Sequence, residues 1–292
     1  MSLSRQRAPI VVAVLAAVAG PILFSACKKN DNGRPEQSAE PFRIADNFYY
    51  VGTNADSVFL ITGPEGHVLL DTAYSSLVAA SIAKLGFRIK DVKALLISEP
   101  HSVEGMTALQ QASGAELWTS EANAKILSSG GDDPDFSLPL KLVRRAGLGD
   151  AGIGGYSPAR VDHPLKDGDT VRVGPIAITA HVTPGAWRGC TSWSFPVRDG
   201  GRVLHVVRAC SLIRVFGMRY DGQDADLERS FRLLRSLPAD IWVTGSSRRW
   251  DRYRKFLLSA SAKNPVDPFI DPAGYRAYID DAETELHTGV VH

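Results

Sequence analysis

Residues 95–106 read LLISEPHSVEGM, which puts Glu99, His101 and Glu104 on one short stretch. An apolar run (Ala94, Leu95, Leu96, Ile97) precedes it and an amphipathic one (Met106, Leu109, Ala112) follows. The stretch is therefore a strand-to-helix loop, a common place for functional side chains. Carboxylates flanking an imidazole can ligate a divalent metal or exchange protons. Further along, Trp187 and Arg188, and then Arg248, Arg249 and Trp250, set guanidinium groups beside indoles. Such groups bind carboxylate or phosphate bidentately and stack on rings. Ser211, Ser246 and Ser247 offer hydroxyls, but a serine nucleophile needs an oriented base and an oxyanion hole. No G-x-S-x-G pattern surrounds them. His67, His163 and His205 fall in turns or strands and read as structural, and His287 and His292 lie in the tail.

The elements that must carry these loops are marked by hydrophobic period. Strands are expected at 48–51, 57–62 and 67–71, the last two joined by Gly63-Pro64-Glu65-Gly66. Leu77, Ile82 and Leu85 among alanines predict a helix, and the strand at Ala94 follows. A second β-rich block covers 171–173, 176–182, 190–197 and 203–210, with the turn Arg198-Asp199-Gly200-Gly201 inside it. Leu227, Phe231 and Leu234 recur at helical spacing until Pro238. Residues 241–244 return as a buried strand, and Asp271-Pro272 opens a last helix with Tyr275, Tyr278 and Ile279. Two β-rich blocks, each followed by helices, predict two sheets packed face to face with helices outside.

With 292 residues, 44% hydrophobic and 22% charged, the chain is long enough for one large domain or two small ones. A net charge of +1 gives no bulk attraction to nucleic acid, which is not an expected partner. The N-terminus reads as an address: Arg5 and Arg7, an apolar run at 10–24, then Ser25-Ala26-Cys27. That pattern resembles a lipoprotein signal over 1–27, with lipidation at Cys27; an ordinary cleaved signal or an uncleaved anchor is the other reading. A polar tether spans 28–41 and the domain 42–292. The domain is expected outside the cytoplasm, periplasmic or at the cell envelope, anchored to a membrane through Cys27. There, Cys190 and Cys210 read first as a disulfide, since a hairpin brings them close, and otherwise as buried thiols.

Several ordered blocks resemble the metallo-β-lactamases, specifically the third subclass of class B. They include Asn47-Phe48-Tyr49-Tyr50-Val51-Gly52-Thr53, the stretch from Ile61 to Thr72 (ITGPEGHVLLDT), and Leu165-Lys166-Asp167-Gly168-Asp169. Thr179-Ala180-His181-Val182-Thr183-Pro184-Gly185, Gly189-Cys190-Thr191-Ser192-Trp193 and Asp271-Pro272-Ala273-Gly274-Tyr275-Arg276 continue the match. The resemblance implies an α/β fold: a four-layer αβ/βα sandwich of two mixed sheets flanked by helices, with the site in a groove at one sheet edge. It also implies a zinc site whose first motif is HxHxDH, with later loops adding histidines, and a metal-activated water.

The chain departs from that pattern at the ligands. Glu99 stands where the first histidine belongs and His101 is retained, Ala186 follows Thr183-Pro184-Gly185, and Ser246 falls at the last ligand place. Asp71, which in the family supports the ligand loop, is present, and His181 matches a histidine that is not a ligand. The expectation is a β-lactamase homologue without zinc or other cofactor. It would be catalytically inactive and act as a binding or interaction module for an anionic small molecule or a protein partner. The pocket would use Glu99, His101, Trp187, Arg188, Ser211, Ser246 and Arg249. The alternative is an active zinc hydrolase with a single metal rebuilt on Glu99, His101 and Glu104.

Overall fold

The computed structural model describes residues 37–101, 103, 105–146 and 155–289. The signal-like segment with Cys27, most of the tether and Glu104 lie outside the described residues. Among the described residues, twelve strands form two sheets. The first holds β1 (Phe42–Ala45), β2 (Phe48–Tyr50), β3 (Phe59–Ile61), β4 (His67–Leu70), β5 (Val92–Leu96), β6 (Glu116–Ser120) and β7 (His163–Leu165), in that order. The second runs in the order β12 (Ile241–Thr244), β11 (Arg202–Ala209), β10 (Thr191–Asp199), β9 (Ile176–Val182) and β8 (Thr170–Val173). Pairing is antiparallel from β1 to β4 and from β8 to β11, but parallel for β4 with β5 and for β11 with β12. Both sheets are mixed, as the sequence resemblance implied.

The helices are α1 (Ser75–Lys84), α2 (Met106–Ser113), α3 (Glu121–Ser128), α4 (Leu138–Arg145), α5 (Gln223–Ser236), α6 (Arg252–Ser261) and α7 (Pro272–Thr288). Alternate side chains of β4 and β5 feed different cores, because successive residues of a strand point to opposite faces. Val68, Leu70, Ala94 and Leu96 face the second sheet, where the rings of Phe48 and Phe195 meet at 5.2 Å. Leu69, Leu95 and Leu117 pack under Val78 and Ile82 of α1 and Met106 and Leu109 of α2. On the far side, Leu227, Phe231 and Leu234 of α5 join Tyr275, Tyr278 and Ile279 of α7 against the second sheet. The layers are thus helix, sheet, sheet, helix.

Described residues 37–41 already lie on the domain: Ser38 bridges Thr53, and Ala39 is buried. No helix among the described residues is long and apolar enough to cross a membrane. The hairpin of β10 and β11 turns at Gly200-Gly201, with Asp199 opposite Arg202 and Gly200 at φ +56°. Beyond its open end Cys190 and Cys210 form a disulfide, with Cα atoms 5.9 Å apart. Closing a loop of this length removes unfolded-state entropy, so replacing both cysteines with alanine is expected to cost roughly 3 kcal/mol. Urea unfolding of the oxidised chain and the double variant measures it, and equal midpoints would show that the bridge adds no stability.

Candidate functional site

Strands β4 and β5 are parallel, as are β11 and β12, so their carboxyl ends open along one edge of the sandwich. Crevices at the carboxyl ends of such strands are favoured binding places. A groove of about 300 Å³ lies there. Its wall is built from Asp71 and Thr72 after β4, Ile97 and Glu99 after β5, Arg208 and Ser211 at the end of β11, and Gly245, Ser246 and Arg248 after β12. The loop with Asp56 and Ser57 closes one side, stitched on by Ser57 N–H to the Gly245 carbonyl (2.7 Å) and Ser247 N–H to that of Ala55 (2.9 Å).

The floor is ionic. Arg208 is 1% exposed, and its Nη2 lies 2.7 Å from Asp71 Oδ2, close in distance though not aligned as a hydrogen bond. Asp71 is turned to this task by a left-handed backbone (φ +65°), a region that aspartate tolerates better than most residues. Its Oδ1 accepts the Ser98 N–H at 2.9 Å, which ties the end of β4 to the end of β5. Gly245 lets the guanidinium approach: a Cβ there would sit 2.8 Å from Arg208 Nη2 and 3.5 Å from Glu99 Oε1. Arg208 Nε and Thr72 Oγ1 are buried and have no hydrogen-bond partner among the described residues.

Glu99 Oε2 accepts hydrogen bonds from Trp187 Nε1 (2.8 Å) and Ser211 Oγ (3.3 Å). Behind it, burial pushes the Tyr278 hydroxyl up to about 12. The loop bearing Trp187 is seated by α3: Ser120 Oγ donates to the Gly189 carbonyl at 2.6 Å, and a Cβ on Gly189 would collide with Asn123.

The structure gathers only some of the residues expected to share a pocket. Glu99, Ser211 and Ser246 line the groove, and Trp187 braces Glu99 from the side. His101 is buried elsewhere, with its Nε2 3.0 Å from Asp133 Oδ2 and its ring against Trp187 and Phe136. Arg188 is bidentate to Asp135 and lies over the Tyr220 ring; the bond to Asp135 raises its already high pKa. Arg249 is exposed and outside the lining, where Arg248 takes its place. Trp250 is core, its Nε1 bonded to Ser57 Oγ at 3.1 Å. For two of them the physical reason is local pairing: Asp135 of the acidic stretch at 133–135 takes Arg188, and Asp133 takes His101. The lining therefore carries Asp56, Asp71 and Glu99 against Arg208 and Arg248, a nearly balanced set.

Arg208 escaped sequence reasoning. The available signal was an arginine inside an apolar strand beside Val206, Val207 and Ala209, since a charge in such a run requires a buried partner.

No protein-family model matches the chain. Among solved structures it is similar to Rm3 metallo-beta-lactamase, 34% identical, covering 86% of this chain and 94% of that one with a TM-score of 0.77. The chain belongs to the metallo-β-lactamase superfamily. BJP-1, a subclass B3 metallo-beta-lactamase of Bradyrhizobium japonicum, is 28% identical over 87% of this chain and 94% of its own, with a TM-score of 0.73. A curated relative, the hydroxyacylglutathione hydrolase of Jannaschia sp. (strain CCS1), is 23% identical over 199 residues, and the chain spans 62% of its length.

The superfamily implies zinc, and the residues present do not fit it. Zinc takes about four N, S or O donors converging at about 2 Å. Ala186 is fully buried and has no donor atom, and Ser246 offers a neutral hydroxyl. Glu99 is held by Trp187 and Ser211, while the ring of His101 is turned to Asp133. Among the described residues, the one cluster of metal-type donors is Glu99 with Cys190 and Cys210, whose sulfurs are bonded to each other and present no thiolate. The guanidinium of Arg208 adds a permanent positive charge to the floor.

A buried pair costs most when one partner is removed. Arg208→Met is expected to lose about 3–5 kcal/mol of stability, and Asp71→Asn combined with Arg208→Met less than the two singles added together. Urea unfolding of the four chains tests this, and additive losses would show that the pair is not coupled.

Proposed function

We propose that this metallo-β-lactamase-fold chain is a hydrolase homologue that no longer runs zinc chemistry and works as a binding module, holding a small polar molecule in the groove. The observation that carries the reading is an open groove of about 300 Å³ whose donor set no longer suits zinc. That volume is at the lower end for small-molecule sites. Arg248 at the lining favours an anionic group on the ligand, and Asp56 and Glu99 favour a donor or cationic group on the same molecule. The small anionic ligand expected from sequence is in this way narrowed to one that also offers donors.

We further propose export and lipid anchoring through Cys27. Arg5, Arg7, the apolar run at 10–24 and the small residues before Cys27 support it, and a disulfide in the domain is consistent with an oxidising compartment. The reading of a single rebuilt metal on Glu99, His101 and Glu104 is disfavoured because Glu99 and His101 are committed to different partners.

Zinc per chain, measured by elemental mass spectrometry on the full chain purified with zinc and desalted, is expected to be near zero. Penicillin and carbapenem turnover is expected at the buffer rate. A panel of small carboxylates and zwitterions is expected to contain compounds that raise the melting temperature, by about 2.7 kcal/mol of stabilisation at a hundredfold excess over Kd. About one zinc per chain, together with metal-dependent turnover lost in His101→Ala, would overturn the reading.

A further inference from the structure

The charge at the groove floor permits one more step. We propose that Arg208 is an internal cation standing in for the metal: its guanidinium supplies the positive charge around which the groove's carboxylates are arranged, and it keeps a divalent ion out. This deepens the reading that the groove has left zinc chemistry, and rests on it.

The argument is one of place, burial and permanence. Arg208 shares the groove with Glu99 and Ser246, the residues at the first and last ligand positions of the family pattern, and with Asp71 beneath them. Its Nη2 is 2.7 Å from Asp71 Oδ2. The same nitrogen would lie 2.8 Å from a Cβ on Gly245, with Glu99 Oε1 at 3.5 Å from that point. The guanidinium thus sits between the ends of β4 and β12, where donors from those loops converge. It is 1% exposed, so water screens it poorly. A cation in such a place can relieve repulsion by losing a proton only if it is a lysine or histidine. Arginine stays charged at all accessible pH values. A divalent ion seated among Glu99, Asp71 and Ser246 would therefore always face this charge at close range, and the Asp71 carboxylate that would attract it is already paired.

The two effects separate in a back-substitution series. Glu99→His, Ala186→His and Ser246→His together restore donors at the three altered positions while Arg208 remains. A second chain adds Arg208→Gln, which keeps a polar group near Asp71 without the charge. Zinc per chain after desalting, and zinc Kd by competition with a chromophoric chelator, are read on the full chains. The expected result is little zinc on the triple variant, and near one zinc on the quadruple variant with affinity on the order of 10–100-fold tighter. Equal affinity of the two overturns the proposal, as does a folded pair in which neither takes zinc. Zinc on the unaltered chain would instead sink the functional reading beneath it.

Should the histidine variants fail to melt cooperatively, Arg208→Gln alone in the otherwise unaltered chain decides the matter. Its groove keeps Asp71, Glu99 and Asp56 but lacks the floor cation. Millimolar zinc is then expected to raise its melting temperature and to leave that of the unaltered chain in place. Equal shifts, or none in either, overturn the proposal.

Discussion

The buried pair of Asp71 and Arg208 is the contact on which the rest of the site depends. Asp71 directly follows β4 of the first sheet and Arg208 lies one residue before the end of β11 in the second, so their 2.7 Å contact clamps the two sheets together at the groove edge. Taking both charges out of water is costly, and mutual attraction offsets that cost only with further hydrogen bonds. Here Ser98 donates its N–H to Asp71, and Arg208 Nη1 donates to the Ala209 carbonyl at 3.3 Å. The left-handed backbone of Asp71 and the missing side chain of Gly245 are the local concessions that let the pair form. Either would be hard to explain without it.

Around that pair, the loops that resemble the zinc-binding loops of the family have been refilled with ordinary packing. Ala186 is an apolar plug, and Trp187 leans from the same loop to hold Glu99. His101, the surviving histidine, is absorbed into a stack with Trp187 and Phe136 and bonded to Asp133. On the reading proposed above, fold and chemistry part company here, as they can wherever function resides in a few side chains on a common scaffold. The sandwich keeps its parallel strand pairs and the open edge they create, and that edge keeps a cavity. What fills it follows from side chains, and those are now two guanidiniums and three carboxylates with no imidazole.

The sequence by itself determined the scaffold. The continuous apolar runs of β4 and β5, the alternation on β9, the helical stripe of Leu227, Phe231 and Leu234, and the breaker at Pro238 each agree with the structure, because burial on two faces or one imposes those patterns on any chain. Ordered blocks such as ITGPEGHVLLDT carried the family, and one hairpin was enough to bring Cys190 to Cys210. Short elements are less visible: β1, β6, β7, α3, α4 and α6 do not stand out in the sequence, since runs that short hold few repeats of either period. Glu99, Ala186 and Ser246 as departures from the ligand pattern were also legible. Only the tertiary structure decided which charges meet. Arg188 and Arg248 look alike in the sequence, yet one is spent on Asp135 and the other lines the groove. Arg208 looks like a misplaced strand residue until Asp71 is found beside it, 137 positions earlier in the chain. Local patterns report what a residue does with its neighbours in sequence, whereas ion pairing is settled by distances that only the packed sheets fix.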